Sequence, residues 1–149
     1  MLTLIFQNQV EAPFPQAMFE ELIRKTETFV DGISEEEVEF ALLDDESIQE
    51  INYQSRGLDK PTDVLSFANR EVEDVFMKDD TSLGQIFISV PAAQRNADEM
   101  KQSLEEEVRF LFVHGLLHIL GYDHQEKEEE IEMMTLAYQI LGRPAYVGD

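Results

Sequence analysis

At 149 residues the chain is sized for one domain, 1–149, able to bury about two-thirds of the surface its unfolded form exposes without a covalent staple. It contains no cysteine, which excludes a disulfide framework and thiolate metal ligation, leaves imidazole and carboxylate as the strong ligands, and suits a cytoplasmic protein. A net charge of −21 excludes a general electrostatic hold on nucleic acid, so any polyanion must be met at a local patch of lysine and arginine, through a metal, or with a shielding partner.

Taken in order, Leu2, Leu4 and Phe6 alternate onto one face of a strand expected over 2–8. The opening residues carry neither a basic segment nor a cleavage site, and no apolar run approaches the roughly 20 residues of a membrane span, so a mature, soluble protein with no membrane partner is expected. Pro15 suits the first turn of a helix whose stripe, Phe19, Leu22, Ile23, Thr26 and Val30, stops near Asp31 and Gly32. A second strand over 38–43 leads to Asp44 and Asp45, which offer an N-cap for a short helix reaching about Ser55, with Ile48 and Ile51 facing inward. A third strand is expected over 64–68, and the polar stretch 69–82 reads as a long, mobile excursion. Ile86, Ile88 and Val90 alternate in a fourth strand over 84–90, and Pro91 opens a helix to about Met100. Ser103 and Glu106 form a capping box ahead of a helix that is apolar on nearly all sides from Val108 to Leu120, which marks it as the buried central helix. The last helix, 126–141, begins with five glutamates in seven residues, read as a solvated face that also suits the helix dipole, and closes at Gly142 and Pro144. The fold class is therefore α+β: a single small domain with a mixed sheet of about four strands packed with helices.

All three histidines fall in the run His114-Gly-Leu-Leu-His118-Ile-Leu-Gly121-Tyr-Asp-His124. Residues four apart on a helix share a face about 6 Å apart along the axis, so His114 and His118 can reach one ion. Gly121 stands where a left-handed C-cap would end the helix, turn the chain and bring His124 towards the same point. Three protein ligands leave the fourth position of a zinc ion for water, the arrangement of a hydrolytic centre; a pair of histidines alone would more simply be core residues. Zinc is the expected cofactor, one ion per chain, although such a site also accepts nickel or copper.

A second informative stretch runs from Ile51-Asn52-Tyr53-Gln54-Ser55-Arg56 to Pro61-Thr62-Asp63-Val64-Leu65-Ser66-Phe67. Arg56, expected just past a helix end in a loop, can reach into a cleft, and Asp63 is expected to hydrogen-bond nearby backbone.

Together these stretches resemble the YbeY family of bacterial rRNA maturation endoribonucleases. The histidine run is similar to its HGxLHLxGYDH signature, with Ile119 for the usual leucine, and 51–67 resemble its LNxxYR and PTDVLSF blocks. Leu83-Gly84-Gln85-Ile86 resembles LGDI, with Gln85 for the aspartate, and Ser55 replaces the tyrosine before the arginine. The resemblance implies a single-strand-specific, metal-dependent endoribonuclease that matures the 3′ end of small-subunit ribosomal RNA, takes part in ribosome quality control, and meets ribosomal proteins or the ribosome. It carries over His114, His118 and His124 as zinc ligands and Arg56 as the catalytic arginine.

The residues allow the same chemistry independently: an imidazole-held divalent ion activates water, and a guanidinium offers a fork of donors to a phosphate. Asp123 could orient a ligand or act on the water, or simply cap the turn. The spacing also matches the metzincin protease pattern H-E-x-x-H-x-x-G-x-x-H, but Gly115 stands where the protease has its glutamate base. A non-catalytic ribosome-associated metal module is the third reading.

Overall fold

A computed structural model describes residues 1–69, 82–123 and 125–147. Four strands, β1 (Thr3–Asn8), β2 (Glu37–Leu43), β3 (Val64–Ala68) and β4 (Ser82–Ser89), form one sheet in the order β1-β2-β4-β3. The pairs β1·β2 and β2·β4 are parallel and β3·β4 is antiparallel, so the sheet is mixed, and among the described strands β3 is an edge. Five helices are described: α1 (Gln16–Phe29), α2 (Asp45–Arg56), α3 (Val90–Met100), α4 (Leu104–Ile119) and α5 (Lys127–Leu141).

The two faces of the sheet are covered unequally. On one face Leu4, Val38, Phe40, Ile86 and Ile88 pack with Phe19, Leu22 and Ile23 of α1, the apolar residues of α4, and Met133, Ala137 and Ile140 of α5. Phe6, Phe19, Phe40 and Phe112 meet ring to ring at 4.7–5.4 Å, and each such pair contributes about 0.5–1.5 kcal/mol beyond its area. The other face carries a smaller cluster, Ala41, Leu43, Leu65, Phe67 and Phe87, covered by Ile48 and Ile51 of α2. Residues of β3 therefore alternate: Leu65 and Phe67 turn to α2, Val64 and Ala68 to the main core.

Several boundaries differ from the sequence reading. Pro15 is the N-cap of α1, extended at ψ 153°, and Gln16 is the first helical residue. The α1 helix stops at Phe29, where Val30 is already extended, before the positive-φ Gly32. Asp44 caps α2 as expected, accepting from the Ser47 backbone at 2.8 Å, but the helix runs on to Arg56 and ends at Gly57, φ +71°. Arg56 is thus the last helical residue and not part of a loop. Strand β4 starts at Ser82 and yields Val90 to α3, because Ser89 accepts from the Ala92 N–H as an N-cap and Pro91 fits the first turn. The expected excursion over 69–82 lies outside the described residues from 70 to 81.

Candidate metal centre

Helix α4 is built as a rigid mount. Ser103 and Glu106 complete the capping box, each bonding the other's backbone N–H at 3.0 Å. The helix then crosses the sheet with Val108, Phe112, Val113, Leu116, Leu117 and Ile119 fully buried. Gly115 lies close against the sheet: a methyl group there would lie 3.1 Å from Cγ2 of Ile86 and 3.6 Å from Cβ of Ser66. With position 115 against the sheet and about 100° per residue, Phe112 falls on the flank towards Phe19 and Phe40, and His114 and His118 fall on the opposite flank, over the β3 edge. Both histidines are half-buried, Nδ1 of His114 is shielded from solvent, and the Phe110 ring lies 5.7 Å from the His114 ring.

The helix ends in a Schellman motif. The Tyr122 N–H donates to the Leu117 carbonyl and the Gly121 N–H to that of His118, both at 3.0 Å, with Gly121 at φ +113°. Asp123 follows, half-buried, and His124 lies outside the described residues. Gly121 thus reverses the chain where the sequence pattern required it. Among the described residues no three His, Asp or Glu side chains form a ligand group, and His124, the third member named by the sequence pattern, is not one of those residues.

Arg56 is exposed, its guanidinium carbon 5.6 Å from the centre of the Phe67 ring. Phe67 belongs to the α2 face, whereas Gly115 meets its neighbour Ser66 from the α4 face. Arg56 and the histidine helix therefore flank the same edge strand from opposite sides. Gln85, in the place of the family's aspartate, donates to Glu39 at 2.8 Å, and it pairs with Phe67 across the β3·β4 ladder.

A polar network next to this helix has no counterpart in the sequence reading. Glu107, 3 % exposed, accepts from Asn96 at 3.1 Å and from Gln102 at 2.8 Å, and the same Asn96 amide donates to Asp63 at 2.9 Å. Burial pushes the Glu107 carboxyl above its ordinary value, with Asp63 adding to the effect; the Asn96 and Gln102 donors and Arg143 oppose it. Asp63 also accepts from the Val64 N–H at 2.8 Å, the backbone bond its turn position suggested. The start of β3, α3 and α4 are thereby tied together. Only the polar residue Glu107 at the head of an apolar run could have signalled it.

Residues 5–144 match the family model described as Endoribonuclease YbeY. The chain belongs to the YbeY family. Curated relatives named Endoribonuclease YbeY include that of Lysinibacillus sphaericus, 40% identical over 139 residues that cover 90% of this chain and 88% of the relative. That of Acholeplasma laidlawii is 43% identical over 123 residues, 83% of this chain and 85% of its own. That of Bacillus licheniformis is 47% identical over 112 residues, 72% and 71% respectively. Among solved structures, that of TM1509 from Thermotoga maritima superposes with a TM-score of 0.62 at 28% identity, covering 94% of this chain and 90% of that one. Gly115 also bears on the protease pattern: in this YbeY-family chain position 115 faces the sheet, where a glutamate side chain has no space.

Proposed function

We propose that this YbeY-family chain is a single-strand-specific, metal-dependent endoribonuclease that acts in the cytoplasm on ribosomal RNA, maturing the small-subunit 3′ end and serving ribosome quality control. The observation that carries the reading is the pair His114 and His118 on one row of a buried helix, closed by the Gly121 turn ahead of His124. Imidazoles so mounted fit a borderline divalent ion, and zinc suits a set of three. When bound, such an ion supplies an activated water and a Lewis acid for a phosphoryl oxygen.

The chain's own residues do the rest. Helix α4 fixes the direction of His114 and His118 through its backbone, so little ordering cost accompanies ligand binding. Arg56, laid over Phe67, keeps its in-plane N–H groups available to two oxygens of one phosphate. Because β3 is an edge, an RNA strand drawn across it meets Arg56 on one side and the histidines on the other. The path favours a single strand, since bending a stiff duplex around one strand edge costs deformation energy. The ribosome, or a protein of it, is the partner that could offset the repulsion between RNA and a chain of charge −21.

Cleavage of a single-stranded oligoribonucleotide, its duplex and casein, each with and without chelator, tests the reading. The expected result is chelator-sensitive cutting of the single strand alone; chelator-indifferent cutting, or intact RNA with digested casein, refutes it.

A further inference from the structure

Four of the arginines of this acidic protein fall into two groups. Arg24 pairs with Glu27 at 2.6 Å and Arg95 with Asp45 at 2.9 Å, so their charges are spent on carboxylates. Arg56 and Arg143 instead lie on aromatic rings, and among the described residues neither makes an ion pair with a carboxylate. Arg143 follows Gly142, the left-handed cap of α5, and its guanidinium carbon sits 5.6 Å from the centre of the Phe110 ring and 5.5 Å from that of Tyr138. Tyr146 braces Tyr138 edge-on at 5.3 Å.

We propose that Arg143 is a second phosphate-binding residue for the substrate strand, set beside the histidine site by Phe110 and Tyr138. A ring contact holds the guanidinium without pairing its charge with a carboxylate, and the group carries five N–H donors. Nη2 of Arg143 donates to the Glu106 carbonyl at 3.1 Å, which fixes the plane and leaves further donors. The Glu106 carboxylate accepts from the Ser103 N–H and Glu107 is held by Asn96 and Gln102, so both carboxylates feel the Arg143 charge but neither forms an ion pair with it. Placement relative to the chemistry follows from the helix. Glu106, Phe110 and His114 succeed one another every four residues on α4, so Arg143 sits roughly one to two turns, about 6–12 Å, from His114 along the axis. Phe110 touches both groups, His114 at 5.7 Å and Arg143 at 5.6 Å. A single strand whose backbone passes the histidines thus meets a fixed cation on the next stretch of its path, the combination of ring-mounted arginine and aromatic side chains that sequence-tolerant single-strand binding uses.

This inference rests on the endoribonuclease reading, and binding and cutting are measured apart so that the two can fail separately. Anisotropy of a labelled single-stranded oligoribonucleotide, titrated with full-length zinc-loaded protein over a range of salt, reads the subsite. Arg143→Gln is expected to weaken binding by about 10-fold at low salt and to flatten log Kd against log salt by about 0.7, the loss of one single-strand phosphate contact. Arg143→Lys, which keeps the charge and most of the packing, is expected to keep the slope and regain part of the affinity. In cleavage, the Gln variant should raise KM with kcat within about twofold. Unchanged Kd and slope in Arg143→Gln overturn the proposal, as does a loss that Arg143→Lys shares in full, since that marks a packing role. Wild-type protein that binds but never cuts removes the nuclease reading and leaves the subsite; wild-type protein that does neither removes both.

Discussion

Gly84→Ala is the substitution whose effect can be worked most directly from the structure. Gly84 pairs with Ala68 across the β3·β4 ladder, and a methyl group there would fall inside 3.0 Å of the Phe67 carbonyl oxygen and 3.2 Å from Cγ2 of Ile119. Carbon–oxygen contacts between strands ordinarily sit at about 3.3–3.6 Å, so the obstacle is backbone on one side and a fully buried helix residue on the other, and no rotamer relieves it. Overpacking of this kind costs about 3 kcal/mol, and parting the strands locally forfeits a ladder hydrogen bond of about 1 kcal/mol. Reduced freedom of the unfolded chain returns up to about 1 kcal/mol. The net loss is about 3 kcal/mol, a fall in Tm of roughly 6–12 °C for a chain of this size. Because the displaced carbonyl is that of Phe67, the ring under Arg56 moves too, and RNA cleavage should fall at temperatures where the variant remains folded. Thermal unfolding followed by circular dichroism measures the first effect and single-turnover cleavage the second. Gly32→Ala is the control: nothing lies within 4 Å of its added carbon, and only its φ of +80° is strained, at about 1–2 kcal/mol. A Gly84→Ala protein that melts within about 2 °C of wild type would refute the packing argument.

Three further outcomes are expected. His114→Ala and His118→Ala should each lose zinc and RNA cleavage together while keeping the far-ultraviolet spectrum, as metal analysis by mass spectrometry beside the cleavage assay will read. Arg56→Ala should keep zinc and fold but cut cleavage by about 10² to 10³, with Arg56→Lys recovering part; full activity in Arg56→Ala would remove that residue from the mechanism. Glu107, whose pKa is raised on folding from 4.5, holds a proton that the unfolded chain releases, so its contribution to stability is present below 4.5 and is lost as the pH rises through the raised value. Glu107→Gln removes that loss, and urea titrations should show the variant gaining on wild type as the pH rises from about 4.5; a pH-independent difference would contradict the assignment.

What the sequence disclosed was local. The Ser103 and Glu106 capping box, the Asp44 cap and the Gly121 turn are each set by residues within five positions of one another, and each stands as read. The alternation that defined β4 carried one residue too far, because Val90 continues the pattern of Ile86 and Ile88 while Ser89 and Pro91 were already starting a helix. Arg56 falls inside α2 and not in the loop that the sequence suggests, because it is Gly57, in its left-handed conformation, that ends the helix. The bonds from Asn96 to Asp63 and Glu107 join residues 33 and 11 positions apart, strand order likewise joins segments distant in the chain, and no periodicity records such pairings. The placement of Arg56 and the histidines on opposite sides of β3 is likewise a product of topology, since it depends on β3 inserting antiparallel at the edge beside β4.

The contact at Gly115 reaches beyond stability into what this helix can become. Writing a glutamate after the first histidine would need one codon change to complete the protease motif on paper. In the folded chain that carboxylate would be driven against Ile86 and Ser66, on the sheet side of the helix and turned from the histidines. A functional crossing would require β4 and β3 to be hollowed out at the same time, through intermediates that have lost packing and gained no activity. The barrier between the two chemistries on this scaffold is steric and sits beneath the helix, so laboratory selection for peptide hydrolysis starting from single substitutions at position 115 should return no active clone.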